Sequence, residues 1–157
     1  MADVDLHEFR DFSFTDPARQ AFALAKEHAL RLRHEEVGAE HILLGILQLR
    51  GGSASRALDA TGVDRDVVRL RLEGMHPIGI ASTDREELPY SVSGVSVLQN
   101  AFAEARGSGV KVVSTGHLLL GILASHDHPP VGAVLGVSRA ELVVAVQANL
   151  DDGDPSK

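Results

Sequence analysis

The chain has 157 residues, 44% hydrophobic and 24% charged, with a formal net charge of −7 at pH 7. These are the proportions of a soluble globular protein, and the acidic balance disfavours nucleic acid and anionic membrane surfaces, both of which select clustered Lys and Arg. The chain contains no cysteine, which excludes disulfides, thiolate catalysis and cysteine-ligated zinc. Because the sequence lacks an 18-residue apolar run and a secretory signal, we expect a cytoplasmic protein.

Polar residues without a sustained period open the chain, so we expect residues 1–13 to form a flexible arm. Thr15-Asp16-Pro17 is typical of a helix start, because a hydroxyl cap is followed by an acid and a proline. Apolar residues then recur at three- and four-residue steps, the period of a helix. Four helices are predicted in this half: 18–33, 39–48, 53–58 with Ser53 as its cap, and one capped by Asp64 after Gly62 ends the third.

Residues 75–88 contain glycine, proline and a run of charges without an apolar period, and we predict a linker there. The second half then follows the order of the first. Its predicted helices start at the Ser91 cap, at a Thr115 cap, near Val131 (131–135), and at Ser138, where a capping box opens a last helix to about Leu150. Residues 151–157 are predicted to form a polar tail.

One apolar segment occurs twice in the chain. Residues 40–47 read EHILLGIL and residues 116–123 read GHLLLGIL, so each residue is followed 76 positions later by its counterpart, as His41 is by His117. The same offset pairs Phe14-Thr15 with Tyr90-Ser91, which indicates two copies of one supersecondary unit. We therefore predict one compact all-α domain of eight helices without a β-sheet. It would consist of two pseudo-symmetric four-helix repeats, a first repeat 14–74 and a second repeat 89–150.

These segments resemble the Clp N-terminal domain. The resemblance rests on Phe14-Thr15-x2-Ala18, on GAEHILLG at 38–45 and on Ala57-Leu58-x3-Gly62, and it covers about residues 12–150. That family is a double-repeat module before the ATPase rings of ClpA-, ClpB- and ClpC-type unfoldases, and the spacing here is most similar to the ClpC type. The resemblance implies a non-catalytic module that recruits Clp substrates or adaptor proteins. It also implies two possible ligands, phosphoarginine-tagged proteins and cyclic-peptide antibiotics.

The resemblance further implies that Glu40 receives the guanidinium of a phosphoarginine. A carboxylate suits this role, because it pairs with a guanidinium through two charge-assisted hydrogen bonds. A nearby helix N-terminus would supply N–H donors for the phosphate, and we expect the hydroxyl of Thr15 to contribute. The alternative is that Glu40 only stabilises the start of its own helix.

The second repeat departs from the pattern, because Gly116 stands where the second glutamate belongs. We therefore predict one phosphoarginine site rather than two, with Ser91 left to hold at most a small anion. The resemblance also implies that Phe14, Arg19 and Tyr90 line a groove between the repeats, where an exposed aromatic pair would be a hot spot for binding. Alternatively, the two aromatic residues pack as staples beside the helix caps.

Catalysis is not expected. The chain has no Gly-x4-Gly-Lys-Ser/Thr, so no ATP hydrolysis is predicted, and no Gly-x-Ser-x-Gly for a serine hydrolase. His41 and His117 are expected to be core histidines bonded to backbone, since no His-Glu-x-x-His motif supports a metal site. His126 and His128 flank Asp127 in a predicted rigid, solvated turn. We predict no metal, no cofactor and no catalytic residue.

Three functions fit these observations. The first is an interaction module for Clp substrates, adaptors or a Clp ATPase, and the second is a protein that sequesters a cyclic peptide. The third is the N-terminal fragment of a full Clp ATPase. A free-standing module is favoured over a fragment, because residues 1–11 extend beyond the usual start of the family.

Overall fold

The computed structural model describes residues 12–125 and 131–150, which are mainly helical. The elements are β1 (Ser13–Phe14), α1 (Asp16–Arg31), α2 (Ala39–Gln48), α3 (Ser53–Ala60), α4 (Arg65–Met75), α5 (Val92–Gly107), β2 (Val112–Val113), α6 (Thr115–Leu123), a 3-10 helix (Val131–Leu135) and α7 (Arg139–Asn149). The all-α class is confirmed, and the 3-10 helix stands where an eighth α-helix was predicted. Most of the predicted arm, the loop with His126 and His128, and the predicted tail lie outside the described residues.

The two repeats are joined by crossed strand pairs. β1 of the first repeat pairs in parallel with β2 of the second, and Tyr90 of the second forms a parallel bridge with Val37 of the first. Thr15 N donates to Val113 O at 3.0 Å, and its counterpart Ser91 N donates to Val37 O at 2.9 Å. The two contacts are related by the 76-residue offset, as a pseudo-twofold arrangement requires.

The prediction of a fold without a β-sheet was wrong, because β1 and β2 form a two-stranded sheet. Each strand has only two residues. Such a segment is too short to show the alternation of apolar and polar residues from which a strand is predicted. The pair nevertheless helps to determine which helix starts lie next to each other.

Four of the six predicted helix caps, at Thr15, Asp64, Ser91 and Ser138, were correct, and two were displaced by one residue. Thr15 Oγ1 and Ser91 Oγ each accept from a backbone N–H three residues later, at 3.2 Å. However, α3 begins at Ser53 itself, after Gly52 with φ 95°, and the cap of α6 is Ser114 rather than Thr115. Serine, threonine and glycine are all accepted at caps, so the local sequence does not choose between Gly52 and Ser53 or between Ser114 and Thr115.

The core is built around α2 and α6, whose residues are almost all buried. Each central helix has a glycine where the first helix of its own repeat crosses it. A Cβ on Gly45 would lie 2.5 Å from Ala21 O, and a Cβ on Gly121 would lie 2.6 Å from Val97 O. Glycine is needed at both positions because the backbones are in contact. In the described part of the chain, no helix is both long and apolar enough to span a bilayer.

The segment after α4 is attached to the end of α1. Gly79 N donates to Leu32 O at 2.8 Å, and Ala81 N donates to Arg33 O at 3.0 Å. The Arg33 side chain donates in return to Ala81 O at 3.0 Å. This part of the predicted linker therefore follows a fixed path across the first repeat.

Candidate functional site

Glu40 is the second residue of α2, and its side chain folds back over the helix start. A Cβ placed on Gly38 would lie 2.6 Å and 2.7 Å from the two carboxylate oxygens. Oε1 is 3.4 Å from Nδ1 of His41, and the Glu40 side chain is 17% exposed. This position suits the positive end of the α2 dipole, and the exposed fraction leaves the carboxylate within reach of a ligand.

The start of α5 lies beside the start of α2. Ala39 N donates to Ser93 Oγ at 3.0 Å, and the hydroxyls of Ser93 and Ser91 are also 3.0 Å apart. A Cβ on Gly94 would lie 2.4 Å from Val37 O, so the two backbones touch here. The first-turn N–H groups of α5 and the Glu40 carboxylate therefore share one end of the domain. We call Glu40, Ser91 and Ser93 the Glu40 site.

The expected pairing of Glu40 with Thr15 is not what the structure shows. Thr15 is 1% exposed and its N–H bonds to Val113 O, at the strand that leads into α6. Crossed strand pairing explains the difference, because it places the first helix of each repeat against the second helix of the other. The hydroxyl beside Glu40 is consequently that of Ser91, together with Ser93, which the sequence analysis missed. The sequence feature that indicates Ser93 is a second hydroxyl within the first turn after the Ser91 cap.

The equivalent position in the second repeat is filled by protein. Gly116 N donates to Ser53 Oγ at 2.8 Å, and Ser53 Oγ donates to Ser114 Oγ at 3.1 Å. A Cβ on Gly116 would lie 2.6 Å from Ser53 Oγ and 2.8 Å from Cδ2 of Leu150. Ser91, which was expected to be left as the cap of the second repeat's own site, instead lies beside Glu40 of the first repeat.

Thr115 also has a structural role across the two repeats. Its Oγ1 accepts from Ala54 N at 3.1 Å, and a Cβ on Gly52 would lie 2.7 Å from it. The start of α3 is thus bonded to the start of α6 through Ser53 and Thr115. These two hydroxyls, predicted as caps of their own helices, instead satisfy backbone N–H groups of the neighbouring helix.

Both core histidines bond to backbone, as predicted. Nδ1 of His41 accepts from Gly38 N at 2.9 Å, and Nδ1 of His117 accepts from Ser114 N at 3.0 Å. Since Nδ1 of His41 accepts, its proton lies on Nε2, which donates to Nδ1 of His34 at 2.7 Å. Nε2 of His34 then donates to Pro77 O at 2.9 Å. Burial, followed by the nearby histidines, lowers the pKa of His41 to about 3.

His34, Glu40 and His41 offer ligand atoms within 4.8 Å of one another, but their hydrogen bonds do not favour a metal. Nδ1 of His41 is occupied by the Gly38 N–H. A metal on Nε2 would therefore require an imidazolate, whereas neutral imidazole is the usual ligand. The chemistry of these residues fits a hydrogen-bonded chain better than a metal centre.

The predicted groove residues form part of a row of aromatic rings. Phe22 stands between Phe14 and Tyr90, with centroid distances of 5.1 Å and 6.3 Å. All three are half-buried. Arg19 is exposed, donates to Phe14 O at 2.6 Å and pairs with Asp16. The row therefore combines packing between the repeats with partial access to solvent.

The fold and the paired helix starts define a class of small helical modules built from two crossed copies of one repeat. The chain belongs to the family of the Clp repeat (R) N-terminal domain, whose family model matches residues 13–135. The resemblance noted from the sequence is thereby confirmed.

Relatives and solved structures agree with this assignment. The negative regulator of genetic competence ClpC/MecB of Bacillus subtilis is 36% identical over 110 residues, which is 70% of this chain and 13% of that protein. The N-terminal domain of the chaperone ClpD from Arabidopsis thaliana has a TM-score of 0.69 at 21% identity, covering 88% of this chain and 97% of that one. The Hsp104 N-terminal domain from Candida albicans has a TM-score of 0.73 at 16% identity, covering 91% and 97%. The chain thus has the fold of these N-terminal domains and matches a small part of the full-length relative.

Proposed function

We propose that this chain is a non-catalytic docking module that recruits substrates or adaptor proteins to a Clp ATPase. Membership of the Clp repeat family supports the general role, because the full-length relatives are Clp-type proteins. The Glu40 site supports a more specific one, the recognition of a phosphoarginine side chain. The main observation in support of phosphoarginine recognition is the partly exposed Glu40 carboxylate beside the start of α5.

The chemistry of the Glu40 site matches both ends of phosphoarginine. The carboxylate would accept two hydrogen bonds from the guanidinium. The first-turn N–H groups of α5 and the Ser91 hydroxyl would face the phosphate, as helix starts do for anions. One such site per chain is proposed, because Ser53 and Leu150 occupy the equivalent space beside Gly116.

Glu40→Gln is expected to weaken phosphoarginine binding about 10- to 100-fold, since it removes the charge from a charge-assisted pair. Isothermal titration with free phosphoarginine measures the change, and Glu36→Gln is the matched control, because Glu36 is exposed and outside the site. Phosphoserine, which lacks the guanidinium, should lose no affinity in either variant, since it has no group that pairs with the Glu40 carboxylate. Equal phosphoarginine affinity for Glu40→Gln and wild type would disprove the assignment.

The aromatic row supports a second candidate ligand, a cyclic peptide with apolar side chains. Rings that are half-buried and adjacent offer contact area at low entropic cost. Tyr90 is the only tyrosine of a chain without tryptophan, so tyrosine fluorescence reports on this row alone. We expect a saturable change in fluorescence on titration with an apolar cyclic peptide, and no change with its linear, scrambled form. Tyrosine fluorescence that does not change on titration with the cyclic peptide would rule out this ligand.

A further inference from the structure

A second concave site lies at the opposite end of α2 from Glu40. Its volume is about 270 Å³, and it is lined by residues of α1, of the second half of α2 and of the first half of α4. Leu44 and Leu47 are its apolar lining residues, and Arg50, Arg65 and Arg69 are cationic ones. We call this the arginine pocket. Gln48, its lining residue at the end of α2, is eight positions after Glu40, roughly 12 Å along the helix axis.

Arg65 is a fixed wall of the arginine pocket. It is 9% exposed, and Nη1 donates to Leu47 O at 3.2 Å and to Leu49 O at 3.0 Å. Nη2 donates to Ser55 O at 3.0 Å and to Asp59 Oδ1 at 2.7 Å. The guanidinium therefore satisfies carbonyls at the end of α2 that have no partner within the helix. Its charge is held at the pocket by the fold.

The other two arginines are available to a ligand. Arg50 is exposed and forms no hydrogen bond or ion pair with the residues that the structure describes. Arg69 is 44% exposed, and its carboxylate partners are distant, at 3.9 Å for Asp66 and 3.7 Å for Glu73. Ion pairs of this length on a surface contribute little. Two cations with solvent-exposed side chains therefore accompany the buried Arg65.

A further hydrogen-bond donor completes the polar side of the pocket. Arg31 donates to Nδ1 of His28 at 3.0 Å, so His28 carries its proton on Nε2 and donates it to Oε1 of Gln48 at 2.8 Å. The amide nitrogen of Gln48 is then the group left to donate. Asp66 is the one acid among the residues that line the pocket. The pocket is thus cationic in a chain whose net charge is −7.

We propose that the arginine pocket binds a peptide carboxylate. Guanidinium groups pair with carboxylates through two parallel hydrogen bonds, and Arg50 and Arg69 are free to do so. The pocket would give the module a second point of attachment for acidic partner segments. This inference extends the docking role proposed above, but it does not depend on phosphoarginine binding.

The test is an NMR titration with three acetylated tetrapeptides. One ends in two leucines and a free carboxylate, the second is its C-terminal amide, and the third is an amide with an internal glutamate between leucines. We expect saturable shifts at the backbone amides of Leu44, Leu47 and Gln48 with the first or third peptide and none with the second. Whichever of the two binds identifies the carboxylate as terminal or side-chain.

Two variants make the assignment specific. Arg50→Gln combined with Arg69→Gln is expected to weaken binding about tenfold or more, because both free cations are lost. Arg65 is left intact because it caps α2. Asp66→Asn should strengthen binding severalfold by removing the repelling carboxylate.

The matched control is Lys111→Gln with Arg139→Gln, two exposed cations elsewhere, which should leave the affinity unchanged. Equal binding by the double arginine variant and wild type, equal binding of the amide, or no binding of either carboxylate peptide would overturn the proposal. The Glu40→Gln variant should bind the peptide as wild type does, so this result is independent of the phosphoarginine site.

Discussion

Replacing Gly116 by glutamate, which would copy the first repeat into the second, is expected to destabilise the domain rather than to create a second ligand site. A Cβ at this position would lie within 2.8 Å of both Ser53 and Leu150, and Ser53 is fully buried. The new carboxylate would also lose water without gaining a cation. We expect a loss of about 3 kcal/mol or more in the free energy of unfolding, measured by urea denaturation.

The reciprocal exchange, Glu40→Gly, serves as its control. The Glu40 side chain is partly exposed at the start of α2, so this change should cost about 1 kcal/mol, through helix propensity and the lost dipole interaction. A Gly116→Glu variant as stable as wild type that bound two phosphoarginines per chain would show that the space beside Gly116 is available. It would contradict the single-site proposal.

Acidification is expected to destabilise the wild type more steeply than a His41→Gln variant. Burial and the neighbouring His34, His76 and His28 lower the pKa of His41 to about 3 in the folded state, against about 6.5 when unfolded. The folded chain therefore binds fewer protons than the unfolded chain between these values. Stability contributed by neutral His41 is present above pH 6.5 and is lost as the pH falls towards 3, by about 1.4 kcal/mol per pH unit.

Urea denaturation at pH 6.5 and pH 5 measures this difference. Glutamine at position 41 retains an acceptor for the Gly38 N–H, as in a capping box, but does not titrate. Between these two pH values we expect the wild type to lose about 2 kcal/mol more than His41→Gln. His34→Ala adds a local control, because it breaks the bond to Pro77 O and should accelerate hydrogen exchange at Gly79 and Ala81. Parallel pH profiles for the wild type and His41→Gln would rule out His41 as the source.

Much of the local structure followed from the sequence because it depends on neighbours in the chain. The caps at Thr15, Ser91 and Asp64 were predicted from single residues before apolar periods, and each accepts the expected N–H bond. Gly62, with φ 70°, ends α3 as predicted. The caps predicted at Ser53 and Thr115 are instead the preceding residues, Gly52 and Ser114. Where two adjacent residues can both cap a helix, packing rather than propensity decides between them.

The candidate site could be predicted only in part from the sequence. Glu40 at the second position of α2 could be placed by counting residues. Its neighbour could not, since the choice between Thr15 and Ser91 depends on β1 pairing with the strand of the other repeat. A pairing of two residues leaves no periodic trace, so the partner was assigned to the wrong helix start.

The sequence by itself determined that this chain is a duplicated helical module, because a 76-residue offset and two apolar segments are properties of residue order. It also determined that His41 and His117 are equivalent buried residues. Only the tertiary structure decided that Ser53 fills the space beside Gly116, a contact between residues 63 positions apart. It likewise decided that arginines from α4 and the end of α2 enclose one pocket. Such contacts arise when separate helices pack, and residue order constrains that packing only indirectly.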